Sequence, residues 1–297
     1  MARHQLARHP PTASREVSLI RLHAADALVA IDPERGGRLA SLEVGGRELL
    51  VGPSSDEDRS TQWGCFLMAP WPGRLAGGRM HWAGHDYQLA RTSGDHAIHG
   101  VVHDRPWTVT HAATDVVELA CPLDGGDWPF RGEVRQRIAI EPGFLSLHAE
   151  VMAGDAMPAA VGWHPWFSRR DSDPSVRLAA DHVLATRDQF PTGDLLPVAG
   201  PTDLRDGPAL GDRRLDDVYP DARSPVSIEW PDLRLLIEFA APLSVIVVYT
   251  PPEGFCVEPQ TAWPNAFGMP PGSEARAGVR SLPPGASLEA NVRLSWG

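Results

Sequence analysis

The sequence predicts an all-β protein, a sandwich or a barrel, on three observations. Apolar residues fall in short runs or at every second position, the period of strands rather than helices. Those runs are broken by turn signals, among them Gly-Gly and Pro-Gly pairs. The 297 residues include 28 Gly and 29 Pro, both of which disfavour helix interiors. No repeat, low-complexity tract or linker divides the chain. Residues 16–297 are therefore read as one domain, preceded by a flexible tail over 1–15.

Taken in order, residues 17–22 alternate partly, and 27–31 form a short apolar run stopped by Pro33 and by Gly36 with Gly37. Residues 39–44 alternate loosely, and Gly45 with Gly46 supplies a two-residue hairpin turn into 47–51. A second hairpin runs from 80–82 through Ala83 and Gly84 to 85–89. In 134–140, Val134, Ile138 and Ile140 share one face and Arg135 and Arg137 the other. Pro142 and Gly143 then turn the chain into 144–151. Residues 233–239 and 243–249 are two more strands, the second apolar enough to be buried on both faces. Residues 288–294 alternate cleanly. The stretch 168–223 is the least regular and reads as long loops, the usual carriers of binding residues.

Composition excludes several functions. The formal charge is −11, a poor match to nucleic acid or an anionic membrane surface. All 27 basic residues are Arg, so no Schiff-base or P-loop lysine chemistry is available. Cys65, Cys121 and Cys256 match neither a zinc motif nor a disulfide framework and suit reduced thiols in the cytoplasm. The first residues carry no secretory h-region, and no apolar run approaches the ~18 residues that span a bilayer.

Five segments carry residues suited to sugar chemistry. In 161–167 (VGWHPWF), Trp163, Trp166 and Phe167 surround His164 with aromatic faces. Pro165 cannot donate to a ladder, which predicts an edge, a bulge or a strand end for His164. In 255–261 (FCVEPQT), alternation puts Cys256 and Glu258 on one face and Val257 on the other. A carboxylate in that apolar company is either a general base or the partner of an Arg. Residues 96–103 hold His96, His99 and His103, without the spacing of a zinc site. Arg74 follows the Pro- and Gly-rich turn 70–73 and can offer several donors to a polyol. Asp216 and Asp217 form an adjacent pair that binds hydroxyls or sits in a solvated turn.

Together, PWPGR (70–74), HG (99–100), HPWF (164–167), DDVY (216–219) and EPQT (258–261) resemble the aldose 1-epimerases, or galactose mutarotases. They occur in that family's order across most of the chain. The resemblance implies a large antiparallel β-sandwich, the galactose mutarotase-like sandwich, with an open sugar cleft, and a small-molecule sugar as partner. It implies Glu258 as general base and His164 as general acid, with His99 on the ring-oxygen side. Arg74, Asp216 and Trp166 would contact the sugar, and Asp217 is the alternative to Asp216. No cofactor and no metal are expected. This chain has Gly73 where many relatives have Asn, and Trp166 where they often have Tyr or Phe. Turnover would need an ionised Glu258 and a His164 kept charged by a negative pocket, the two facing each other across one pyranose. A non-catalytic carbohydrate-binding protein and a hexose-6-phosphate 1-epimerase are the competing readings. The latter would use Arg169 with Arg170, or Arg213 with Arg214, for the phosphate.

Overall fold

The computed structural model describes residues 19–53, 60–124, 126–170 and 172–297. The tail over 1–15 lies outside these residues, as do Val17 and Ser18 at the start of the first expected strand.

Two large antiparallel sheets dominate. Among the described residues the first has nine strands. Its order is Ile20–Ala24, Ala27–Asp32, Arg38–Val44, Cys65–Met68, Gly162–Phe167, Phe255–Gln260, Val245–Tyr249 and Asp216–Tyr219, with Arg47–Glu48 paired to Arg38–Val44 off this path. The second has eight, in the order Thr108–Ala112, Val116–Pro122, Gly132–Glu141, Phe144–Ala153, Ser287–Trp296, Leu233–Phe239, Arg223–Trp230 and Ser175–Ala179. One buried cluster takes Leu42, Leu67, Trp163 and Val257 from the first sheet and Val134, Leu147, Ile237 and Val292 from the second. Burial of such side chains is the main force holding the two sheets together.

Periodicity set the exposed faces. Val134, Ile138 and Ile140 are buried while Arg135 and Arg137 are exposed. Val245–Tyr249 is buried on both faces over its first four residues. Gly45 and Gly46 turn at φ of 57° and 76°, the left-handed region in which Gly carries little penalty. Among the described residues, helix is confined to three-residue turns such as Ala76–Gly78. No helix among them is long and apolar enough to cross a membrane.

The reading of 168–223 as loops is corrected. It contains Ser175–Ala179, the hairpin His182–Arg187 with Phe190–Pro197, and the edge strand Asp216–Tyr219. The hairpin turns at Asp188 and Gln189, both at positive φ. Its strand Phe190–Pro197 is mostly exposed, so the core imposes no alternation on it that the sequence could reveal.

Candidate active site

Two central strands of the first sheet build the floor of a cleft. Gly162 stands opposite Gln260 and Trp166 opposite Cys256. That register puts His164 directly across from Glu258. On the outer sides, Phe66 opposes His164 and Val247 opposes Glu258. Cys256 opposes Tyr249, which opposes Asp216. Because side chains alternate along a strand, all of these share the face turned away from the inter-sheet core. Trp163, on the opposite face, anchors the strand in that core by donating from Nε1 to Gln136 Oε1 at 3.3 Å.

His164 thus lies mid-strand with neighbours on both sides, not at an edge or a strand end. Pro165 is tolerated because the ladder to the Glu258 strand is held at Gly162 and Trp166, outside the two prolines. Between these anchors Pro165 and Pro259 have no N–H to give. His164 and Glu258 stand in that gap.

The walls come from elsewhere in the chain. Arg74 and His99 line the cleft on one side, and Thr186 and Gln189 of the hairpin line it on another. Trp166, Asp216, Tyr249 and Gln260 also line it. The hollow contains about 920 Å³ of empty space, part of it open to solvent.

Six of the seven sequence-selected residues meet here: Arg74, His99, His164, Trp166, Asp216 and Glu258. Asp217 does not line the cleft; alternation turns it away from Asp216. Arg74 and Asp216 approach to 3.8 Å at the rim, both partly exposed. His96 sits outside the floor, packed edge-on against Phe190 and accepting from the Gly77 amide at Nδ1.

At the floor, His164 Nε2 lies 3.4 Å from Glu258 Oε1, and the residues are 5 % and 3 % exposed. Gln260 Nε2 donates to Glu258 Oε2 at 2.9 Å. Phe66 stacks on His164 with ring centres 4.8 Å apart, and Trp166 lies nearly parallel on its other side at 5.8 Å. His99 meets His164 edge-on at 4.8 Å. The expected acid and base therefore stand side by side, not on opposite sides of a ring. That suits a hemiacetal, whose two oxygens are bonded to one carbon.

The charge expectation is corrected. Burial pushes the His164 imidazole down to about 3, helped by His103 and by the Arg38 and Arg74 guanidiniums. Burial pushes the Glu258 carboxyl well up, and Asp216 adds to it. His99 is held neutral by burial and by His164. The surroundings of His164 are cationic as well as dry, so the empty cleft favours a neutral imidazole beside a protonated carboxyl.

Sequence reasoning missed Arg38. It is 1 % exposed and donates to the carbonyls of Arg35 and His103 at 2.7 Å and of Ser60 at 2.6 Å. Its guanidinium also lies 5.0 Å from the Phe66 ring centre, a buried cation behind the aromatic floor. Nothing in its local sequence separates it from a surface Arg.

Gly73 lines the cleft, and Gly100 fixes the backbone that follows His99. Gly73 has φ +67°, a region open to Gly and Asn, which reconciles it with the Asn of many relatives. A Cβ there would lie 2.8 Å from Pro264 Cβ, so Gly fits this wall better. Gly100 has φ +77°, and a Cβ would come within 1.9 Å of the Ala69 carbonyl oxygen. Gly100→Ala is expected to cost at least ~3 kcal/mol and to displace His99, read as a lowered midpoint in denaturant. A midpoint within error of wild type contradicts this packing.

A sequence model described as aldose 1-epimerase matches residues 18–295. The chain belongs to the aldose 1-epimerase family. It is 23 % identical over 263 residues to YphB, an uncharacterised Escherichia coli protein, covering 83 % of this chain and 89 % of that one. Its fold is that of a putative aldose 1-epimerase from E. coli, with TM-score 0.84, 19 % identity and coverage of 94 % and 99 % of the two chains. A galactose mutarotase-like protein from Clostridium acetobutylicum is similar at TM-score 0.83 and 19 % identity, covering 94 % and 95 %. The galactose mutarotase-like sandwich expected from the five motifs is thus the fold of this family member.

Proposed function

We propose that this protein is an aldose 1-epimerase that interconverts the α and β anomers of a free hexose by acid–base ring opening. The observation that carries the reading is the His164–Glu258 pair, 3.4 Å apart on the floor of an open cleft. The Glu258 carboxylate takes the proton of the C1 hydroxyl, and the O–H electrons form the C1 carbonyl. The bond from C1 to the ring oxygen breaks, and that oxygen takes the proton from His164 Nε2. Rotation about C1–C2 and the reverse transfers give the other anomer. Nothing is lost or gained overall, so a fixed pair of groups suffices.

The burial that disfavours the ion pair has a use in this scheme. Ring opening converts an ion pair into a neutral acid and a neutral imidazole, the state this cleft favours. The site thereby offsets part of the cost of forming the aldehyde. Trp166 offers a ring face to the sugar C–H surface, and His99, Arg74 and Asp216 hold its oxygens.

The active pair carries one proton, which predicts the pH profile. Acid adds a second proton, which must charge a buried imidazole. That limb of kcat/KM is expected well below the ordinary histidine range near ~6.5. Base removes the single proton and leaves a buried carboxylate. The alkaline limb is expected well above the ordinary glutamic range near ~4.3. Both belong to the pair as a unit. An acid limb centred on an ordinary histidine contradicts the assignment.

Asp216→Asn is expected to raise KM about tenfold, the loss of one charged hydrogen bond. Asp217→Asn should leave KM within about twofold. Equal effects would remove Asp216 from the sugar site.

Free hexose is favoured over its 6-phosphate by the disposition of the arginines. Arg170 is engaged by Asp232 at 3.1 Å, and Arg213 by the carbonyls of Ala209 and Pro201 at 3.2 and 2.8 Å. Among the described residues, the cation lining the cleft is Arg74. Polarimetry of fresh α-glucose, α-galactose and glucose 6-phosphate tests the whole reading. Faster decay of rotation for a free hexose supports it. Binding without faster decay means a carbohydrate-binding protein, and acceleration of the phosphate alone means the phosphate enzyme.

A further inference from the structure

Cys256 has no part in the acid–base scheme, yet it shares the floor with the pair that does. It lies on the same strand face as Glu258, two residues earlier, and opposes Trp166 two residues beyond His164. One ligand-type atom from each of His164, Cys256 and Glu258 lies within 4.8 Å of the others, and all three residues are buried. Among the described residues these form the group of His, Cys, Asp or Glu close enough to hold a metal ion. We propose that His164 Nε2, Cys256 Sγ and a Glu258 carboxylate oxygen form a site for a thiophilic divalent cation of the zinc class, whose binding blocks the catalytic pair.

Three features favour such a cation. Tetrahedral zinc with Zn–N and Zn–S bonds of about 2.0 and 2.3 Å places its donors roughly 3.5 Å apart. The donor atoms, within 4.8 Å of one another, must close by up to about 1 Å on binding. Thiolate, carboxylate and neutral imidazole together cancel the charge of a dication, so the occupied site is neutral and tolerates burial. Thiolate and imidazole select zinc or cobalt over the hard cations magnesium and calcium. Burial already keeps the imidazole neutral, as a ligand must be. The thiol and the carboxyl give their protons to solvent on binding. Three protein donors leave one position open, and the cleft supplies it with water.

The blocking half rests on the function proposed above, and the binding half does not. The test is titration of the full chain with cobalt(II), followed by absorption spectroscopy and then by zinc competition. One equivalent of cobalt should give a thiolate-to-cobalt charge-transfer band and tetrahedral visible bands, both abolished by zinc. Cys256→Ser should lose the charge-transfer band and weaken cobalt binding at least about tenfold. Cys256→Ala serves as a second variant, with melting curves showing that both fold. Zinc should raise the apparent KM of wild type and leave kcat unchanged, with a chelator restoring activity. Both variants should need at least about ten times more zinc for the same effect. Absence of a charge-transfer band in wild type, or its persistence in both variants, overturns the site. A cobalt band with unchanged anomer exchange overturns the blocking half alone.

Discussion

Glu258→Gln is expected to abolish anomer exchange, with kcat reduced about 10³–10⁴-fold and sugar affinity kept within about tenfold. Gln offers the sugar a donor and an acceptor of nearly the same shape, so ground-state contacts persist. It cannot take a proton, so only the transition state suffers. The same variant should be no less stable than wild type. Burial raises the Glu258 carboxyl above its unfolded value, so the native state holds a proton that the unfolded chain releases. Its stabilising contribution is complete below the unfolded pKa and is lost as pH rises through the folded one. Gln stays neutral throughout. The difference in Tm, variant minus wild type, should therefore grow from pH 4 towards neutrality. A variant of normal turnover moves the base elsewhere, and a difference that shrinks with pH contradicts the buried carboxyl.

The second large effect is at His164. His164→Asn is expected to lower kcat about 10²–10⁴-fold. Its residual activity should keep an acid limb but move it up to the titration of the lone Glu258 carboxyl, which must be ionised to act as base and which burial holds high. A purely structural role would lower the rate and leave the limb in place. Packing makes its own contribution. The imidazole lies between Phe66 and Trp166, and Asn fills less of that slot. Some loss of stability, about 1–2 kcal/mol, should accompany the kinetic effect. Trp166 should hold its place through its own hydrogen bond from Nε1 to the Thr61 carbonyl at 2.7 Å.

The sequence made the sandwich legible because burial acts on alternate residues. Gly132–Glu141 and Phe144–Ala153 pair along their whole lengths in the register their apolar faces and Gly143 turn imply. The hairpin at 182–197 was illegible for the opposite reason: much of it faces solvent, and its pattern carries no face. Among the site residues, the Glu258 side was legible from alternation alone, since Val257 joins the core and Cys256 the opposite face. Asp216 and Asp217 were separable only once strand pairing placed Asp216 opposite Tyr249. The charge state of His164 could not be read from its neighbours in sequence. It is set first by burial and then by His103, Arg38 and Arg74, which topology brings together from distant segments.

Everything turns on whether one hemiacetal meets both floor residues at once. The direct test is a crystal structure of the Glu258→Gln variant soaked with glucose or galactose. The expected result is a pyranose over Trp166 with its C1 hydroxyl hydrogen-bonded at position 258 and its ring oxygen at His164 Nε2. A hexose seated in the cleft with its C1 end turned away from both side chains would contradict the account.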